Sequence, residues 1–117
     1  MNRATLDVTL AIMDQGLAII LSSVSSKEEA ERMAAALVEA GLAACVQISA
    51  PGLSIYCWQG ELQQEQELYL SIKTTEERAA AVVEWLTQHH PYDTPEIVKL
   101  DADAAHPYMQ WLRDSVQ

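Results

Sequence analysis

Between Leu53 and Lys73 the chain carries the pattern of two strands folded back on each other, and both faces of that ribbon are apolar. Side chains alternate across a strand, so Leu53, Ile55 and Cys57 share one face while Tyr56 and Trp58 share the other. Gly60-Glu61 supplies a turn. The return segment, Glu65 to Lys73, then sets Leu68, Leu70 and Ile72 on one face and Glu67, Tyr69 and Ser71 on the opposite one. A single layer of helices covers only one face of a sheet. A long hairpin that is greasy on both sides therefore needs a second cover, and this requirement constrains the fold more than any other feature of the sequence.

The flanking segments define that first layer. Leu17-Ala18-Ile19-Ile20-Leu21 is a short unbroken apolar run of the kind that forms a central strand. Ser25 or Ser26, followed three residues on by Glu28 or Glu29, is a capping-box pattern. It opens a helix whose Ala30, Met33, Ala34, Leu37 and Val38 share a stripe. Gly41 stops that helix in a left-handed conformation. Ala43 to Ser49 reads as a second strand, broken from the hairpin by Ala50-Pro51-Gly52. After the hairpin, Thr75 caps a second helix with Ala79, Val82, Val83 and Leu86 on one stripe. Its end is expected near His89 and His90, because Pro91 disfavours helical geometry in the residue before it. Glu96 to Leu100 gives a last strand and Tyr108 to Leu112 a short terminal helix. The order strand, helix, strand, strand, helix, strand is an α+β, ferredoxin-like split βαβ sandwich with a long β-hairpin and a C-terminal helix. Residues 17–117 form that domain and residues 1–16 an N-terminal extension, in which Asp7 and Asp14 interrupt any signal-peptide core.

Two helices leave Tyr56, Trp58 and Tyr69 on the bare side of the sheet. Each buried aromatic removes about 150–250 Å² from water, so a few per subunit drive association by several kcal/mol at about 25 cal/mol per Å². A homo-oligomer follows, unless the terminal helix and residues 1–16 fold back over the patch. Seventeen Asp and Glu against seven Lys and Arg give a net charge of −10, which repels phosphate backbones and anionic lipid and makes nucleic acid and membranes poor partners. Cys45 and Cys57, the only cysteines, are too few for a disulfide scaffold and read as free thiols in a reducing cytoplasm.

His89-His90-Pro91-Tyr92 is the most suggestive cluster for metal chemistry, since imidazole is the commonest ligand of borderline divalent ions. Neighbouring helical side chains diverge by about 100°, so both rings meet one ion only where Pro91 unwinds the helix end. The other reading of these histidines is an interaction with the exposed carbonyls of that end. No Cys-x-x-Cys or His-x-x-x-His pair provides a closed zinc site, and no phosphate loop or nucleophile elbow is present. Glu61, Glu65 and Glu67, like Asp101 and Asp103, read as solvated faces or as loose attractors of cations.

Five motifs in order resemble one family: Gly41-Leu-Ala-Ala-Cys45-Val, Tyr56-Cys-Trp-Gln-Gly60, Lys73-Thr-Thr, His90-Pro-Tyr-Asp-Thr-Pro-Glu96, and Tyr108 with Trp111-Leu112. Together they resemble the CutA divalent-cation tolerance family over about Ala18 to Val116. The resemblance implies a noncatalytic cytoplasmic homotrimer whose hairpins complete sheets across subunits. It also implies binding of, or response to, a divalent metal ion such as copper. Carried over residue by residue, the implied ligands are His89 and His90, with Ser22 standing where some members place a cysteine at the end of the first strand. A neutral hydroxyl is a far weaker ligand for soft copper than a thiolate. Cys45, in the Ala-Ala-Cys motif, is the remaining thiol candidate. Kinship with PII signalling proteins implies one alternative, a regulatory trimer with a small effector in its intersubunit cleft and a protein partner on its surface; a purely structural trimeric module, which binds neither metals nor metabolites, is a third reading.

Overall fold

The computed structural model describes residues 12–117. Strand β1 (Met13–Val24) leads into helix α1 (Lys27–Glu39), strands β2 (Cys45–Ile48), β3 (Gly52–Trp58) and β4 (Glu61–Thr75), helix α2 (Glu76–His89), strand β5 (Val98–Ala105) and helix α3 (His106–Ser115). The strands form one antiparallel sheet in the order β2-β4-β1-β5, with β3 paired to the projecting part of β4. This is the split βαβ arrangement, in which β4 lies between the two strands joined by α1.

Local chemistry explains the helix limits. Ser26 Oγ accepts from the Glu29 N–H at 3.1 Å and caps α1. At its other end Gly41 takes φ +71°, its N–H reaching the Val38 carbonyl and the Leu42 N–H the Leu37 carbonyl, both at 3.0 Å. That is a Schellman closure, which a residue with a Cβ would strain. Thr75 Oγ1 accepts from the Arg78 N–H at 3.3 Å and caps α2. The hairpin turn consists of Gln59 and Gly60, one residue earlier than Gly60-Glu61. Both have positive φ (51° and 82°), as a two-residue turn that follows the strand twist requires.

Ala18 and Ile20 of β1 and Leu70 and Ile72 of β4 face α1 and α2 and close a core with Met33, Leu37, Val82 and Leu86. The opposite face is covered at one end only, where Met109 and Leu112 of α3 pack on Leu17 and Ala104. Beyond α3 this face stays open, with Tyr69, Val98 and Leu100 each at least one-third exposed. The terminal helix thus covers part of the bare face and leaves the hairpin untouched: Leu53, Ile55 and Leu62 are 58–71% exposed and Trp58 is 49% exposed.

Two strands differ from expectation. β1 begins at Met13 rather than Leu17, because a bulge between Asp14 and Leu17 absorbs the polar segment before it resumes pairing with β5. β5 runs Val98–Ala105 rather than Glu96–Leu100. It is an edge strand, where the alternating Lys99, Asp101 and Asp103 are tolerated and discourage stray pairing. Residues 1–11 of the expected extension lie outside the described residues.

Candidate functional site

The helix end that presents the two histidines holds them by different partners. His89 is exposed, stacks on Trp85 with ring centroids 4.4 Å apart, and donates from Nδ1 to the Trp85 carbonyl at 2.9 Å. That bond leaves Nε2 as the nitrogen with an outward lone pair. His90 is the helix C-cap, with extended backbone that turns its ring inward. Its Nε2 donates to the Ser23 carbonyl at 2.8 Å, and its Nδ1 accepts from the Tyr92 N–H at 3.1 Å. Both nitrogens of His90 are therefore used, and burial holds its pKa below the ordinary 6.5, favouring the neutral ring these bonds need.

Two further sequence candidates complete the set, and the His90–Ser23 bond brings the end of β1, which carries one of them, to the helix end. Ser22 is fully buried on the helix-facing side of β1, opposite Leu70, and its hydroxyl has no hydrogen-bond partner among the described residues. Cys45 is half-buried on β2 opposite Lys73. Among the described residues no group of three or more His, Cys, Asp or Glu stands together as a metal cage. The donor set expected from the resemblance is not assembled within one subunit.

What the loop after α2 does build is a cleft. Residues Tyr92 to Glu96 face the hairpin across an open cavity of about 810 Å³ whose other wall includes Ser23, Tyr56, Trp58, Glu65 and Glu67. Glu67 is only 6% exposed, and its Oε2 accepts from the Tyr92 hydroxyl at 2.9 Å. Burial and that carboxylate push the Tyr92 phenol up to about 12, so it remains a donor throughout the neutral range. Sequence reasoning placed Glu67 on a solvated face. The one hint against this is its position on the same face as Tyr69, next to buried Leu68.

The profile of the family described as "CutA1 divalent ion tolerance protein" matches residues 18–115. The chain belongs to this family. It is 48% identical over 99 residues to the divalent-cation tolerance protein CutA of Thermus thermophilus, covering 83% of this chain and 95% of that one. Among solved structures, CutA from Synechococcus elongatus superposes with a TM-score of 0.85 at 41% identity, over 93% of this chain and 99% of the other. A second Synechococcus structure, complexed with a Bis-Tris molecule, gives 0.82 at 42% identity, over 90% and 98%. In this CutA1 chain, then, the split βαβ sheet and the projecting hairpin are the shared architecture, and the residues around the α2 end are where its own chemistry must be read. Among the described residues no helix is long and apolar enough to cross a membrane.

Proposed function

We propose that the chain is a noncatalytic cytoplasmic homotrimer of divalent-cation tolerance, which binds divalent metal ions, copper among them, through His89. Membership of the family supports the divalent-cation role. The two-sided apolar hairpin supports the trimer, because a second and third copy supply the cover that one subunit lacks. The observation that carries the metal assignment is the Nδ1–H bond from His89 to the Trp85 carbonyl. A backbone acceptor on one nitrogen fixes the tautomer and presents the other to an ion, the usual outer support of a metal-ligating histidine. One imidazole per subunit is a weak, exchangeable site, suited to response rather than storage. His90 serves the fold, Ser22 is sealed in the core, and Cys45 is a packing thiol.

Calorimetric titration of Cu(II) tests this. His89→Ala is expected to remove most of the binding, while His90→Ala leaves the affinity and lowers the melting temperature, since it strands the Ser23 carbonyl and the Tyr92 amide. Unchanged affinity in His89→Ala would contradict the assignment.

A second reading is favoured by the cleft: a regulatory trimer that takes a small molecule there. An 810 Å³ cavity is in the range of small-molecule sites. That a Synechococcus relative has been solved with a Bis-Tris molecule bound agrees with a small-molecule role.

A further inference from the structure

We propose that Trp85 is the positioning residue of the divalent-ion site at His89, its indole holding the imidazole in the ligating pose and stabilising the positive charge that the ring gains with an ion on Nε2. The inference rests on the metal reading of His89 above and assigns a second residue to that site.

The pairing follows from helix geometry. Residues four apart stand one above the other and helical side chains lean toward the N-terminus, so the residue at 89 lies over the one at 85. The two rings are 18° from parallel, with centroids 4.4 Å apart. Trp85 is half-buried and packs against the core beneath α2, whereas His89 is exposed. A ring anchored in the core thus serves as a fixed floor for a ring in solvent. Both belong to the helical layer, and neither lies on the hairpin or on the open sheet face.

Two restraints act on different freedoms of the imidazole. The Nδ1–H bond to the Trp85 carbonyl, 2.9 Å long, fixes which nitrogen keeps the proton, and the stack fixes the plane of the ring. A side chain that is mobile before binding loses that freedom when it takes an ion. A ring already immobile avoids the loss, which tightens a site built on one imidazole.

Charge supplies the second effect. A stack strengthens binding only by as much as it favours the ion-bound ring over the free one. An imidazole with a lone pair on Nε2 is neutral and gains from Trp85 only ordinary ring attraction. With a divalent ion on that nitrogen the ring shares positive charge, which the face of an indole attracts more strongly than any other aromatic side chain does. His89 also stands in the last turn of α2, where the negative end of the helix dipole acts in the same direction. Trp85 is not itself a ligand, because its indole N–H is a donor only.

Titration calorimetry of Cu(II) into the full chain at pH 7 tests the proposal in His89→Ala, Trp85→Leu and Trp85→Phe. Trp85→Leu is expected to weaken binding about fivefold, and Trp85→Phe, which keeps an aromatic face, to recover part of that loss. In nitrogen NMR His89 should hold the Nδ1–H tautomer in the unaltered chain and show both tautomers in Trp85→Leu, a change that a tryptophan serving the core alone would not produce. Where Trp85→Leu fails to fold, the other chains decide: saturating Cu(II) should quench the indole emission that Trp85→Phe removes. Unaltered affinity in a folded Trp85→Leu, binding in Trp85→Phe no tighter than in Trp85→Leu, or undiminished Trp85 emission at saturation would each overturn the role of Trp85. Loss of affinity in His89→Ala would then leave His89 standing as the ligand, and its retention would overturn the metal reading beneath the proposal.

Discussion

The two halves of β4 share one continuous backbone and opposite surroundings. From Leu68 to Thr75 the strand is flanked by β1 and β2, and its inward side chains are sealed beneath α1 and α2. From Glu61 to Gln66 it has only β3 for a neighbour, and the apolar side chains of that ribbon face water. Both halves were built with apolar residues, yet only one finds its cover within the chain. The difference teaches that this subunit has a finished half and an unfinished one, and the open apolar faces of the unfinished half are what support the proposed meeting of copies there.

Substitutions in the two halves should therefore fail differently. Ile72→Ala, at a fully buried site, should lower unfolding free energy by about 2–5 kcal/mol in denaturant titrations. Trp58→Asp, on the projecting half, should leave each subunit folded by circular dichroism while raising the dissociation constant of assembly more than about tenfold by sedimentation. An intact assembly in Trp58→Asp would erase the distinction between the halves.

Within the finished half, Ser22 is the one buried side-chain atom left unpaired among the described residues. Ser22→Ala should gain about 1 kcal/mol, read from the denaturation midpoint, because it removes an unmade hydrogen bond without altering the packing volume much. A loss of stability would mean that the hydroxyl has a partner in the assembled state.

The smallest effect is a pH dependence at the seam between the halves. The His90 ring has a folded-state pKa held below 6.5 by burial, so the unfolded chain takes up its proton first as pH falls. The stability that the neutral ring contributes is fully present above about 6.5 and is lost progressively as pH drops from there toward the lowered folded value. His90→Gln should flatten that part of the melting-temperature profile between neutral and mildly acid pH. A slope unchanged by the substitution would assign it to carboxylates instead.

Helix caps, the Gly41 stop, the hairpin and the strand order were legible in the sequence because each depends on neighbours a few residues away. Ser26, Thr75 and the alternation of Leu68, Leu70 and Ile72 announce themselves locally. The site was legible only as a cluster of histidines. What separates His89 from His90 is a bond to Ser23, 67 positions earlier in the chain, and what buries Glu67 is a tyrosine 25 positions later. Such pairings appear only once the loop after α2 wraps the end of β1, and no periodicity encodes them. The early start of β1 was hidden for a similar reason, since its bulged segment is tied down by Asp14 accepting from His106 and Arg113 at the far end of the chain.

Sedimentation equilibrium of the unaltered chain over a dilution series tests the central claim most directly. The account predicts a mass of three subunits that persists to low micromolar concentration. Single subunits that remain folded at those concentrations would contradict it, because an uncovered two-sided hairpin would then be stable in water by itself.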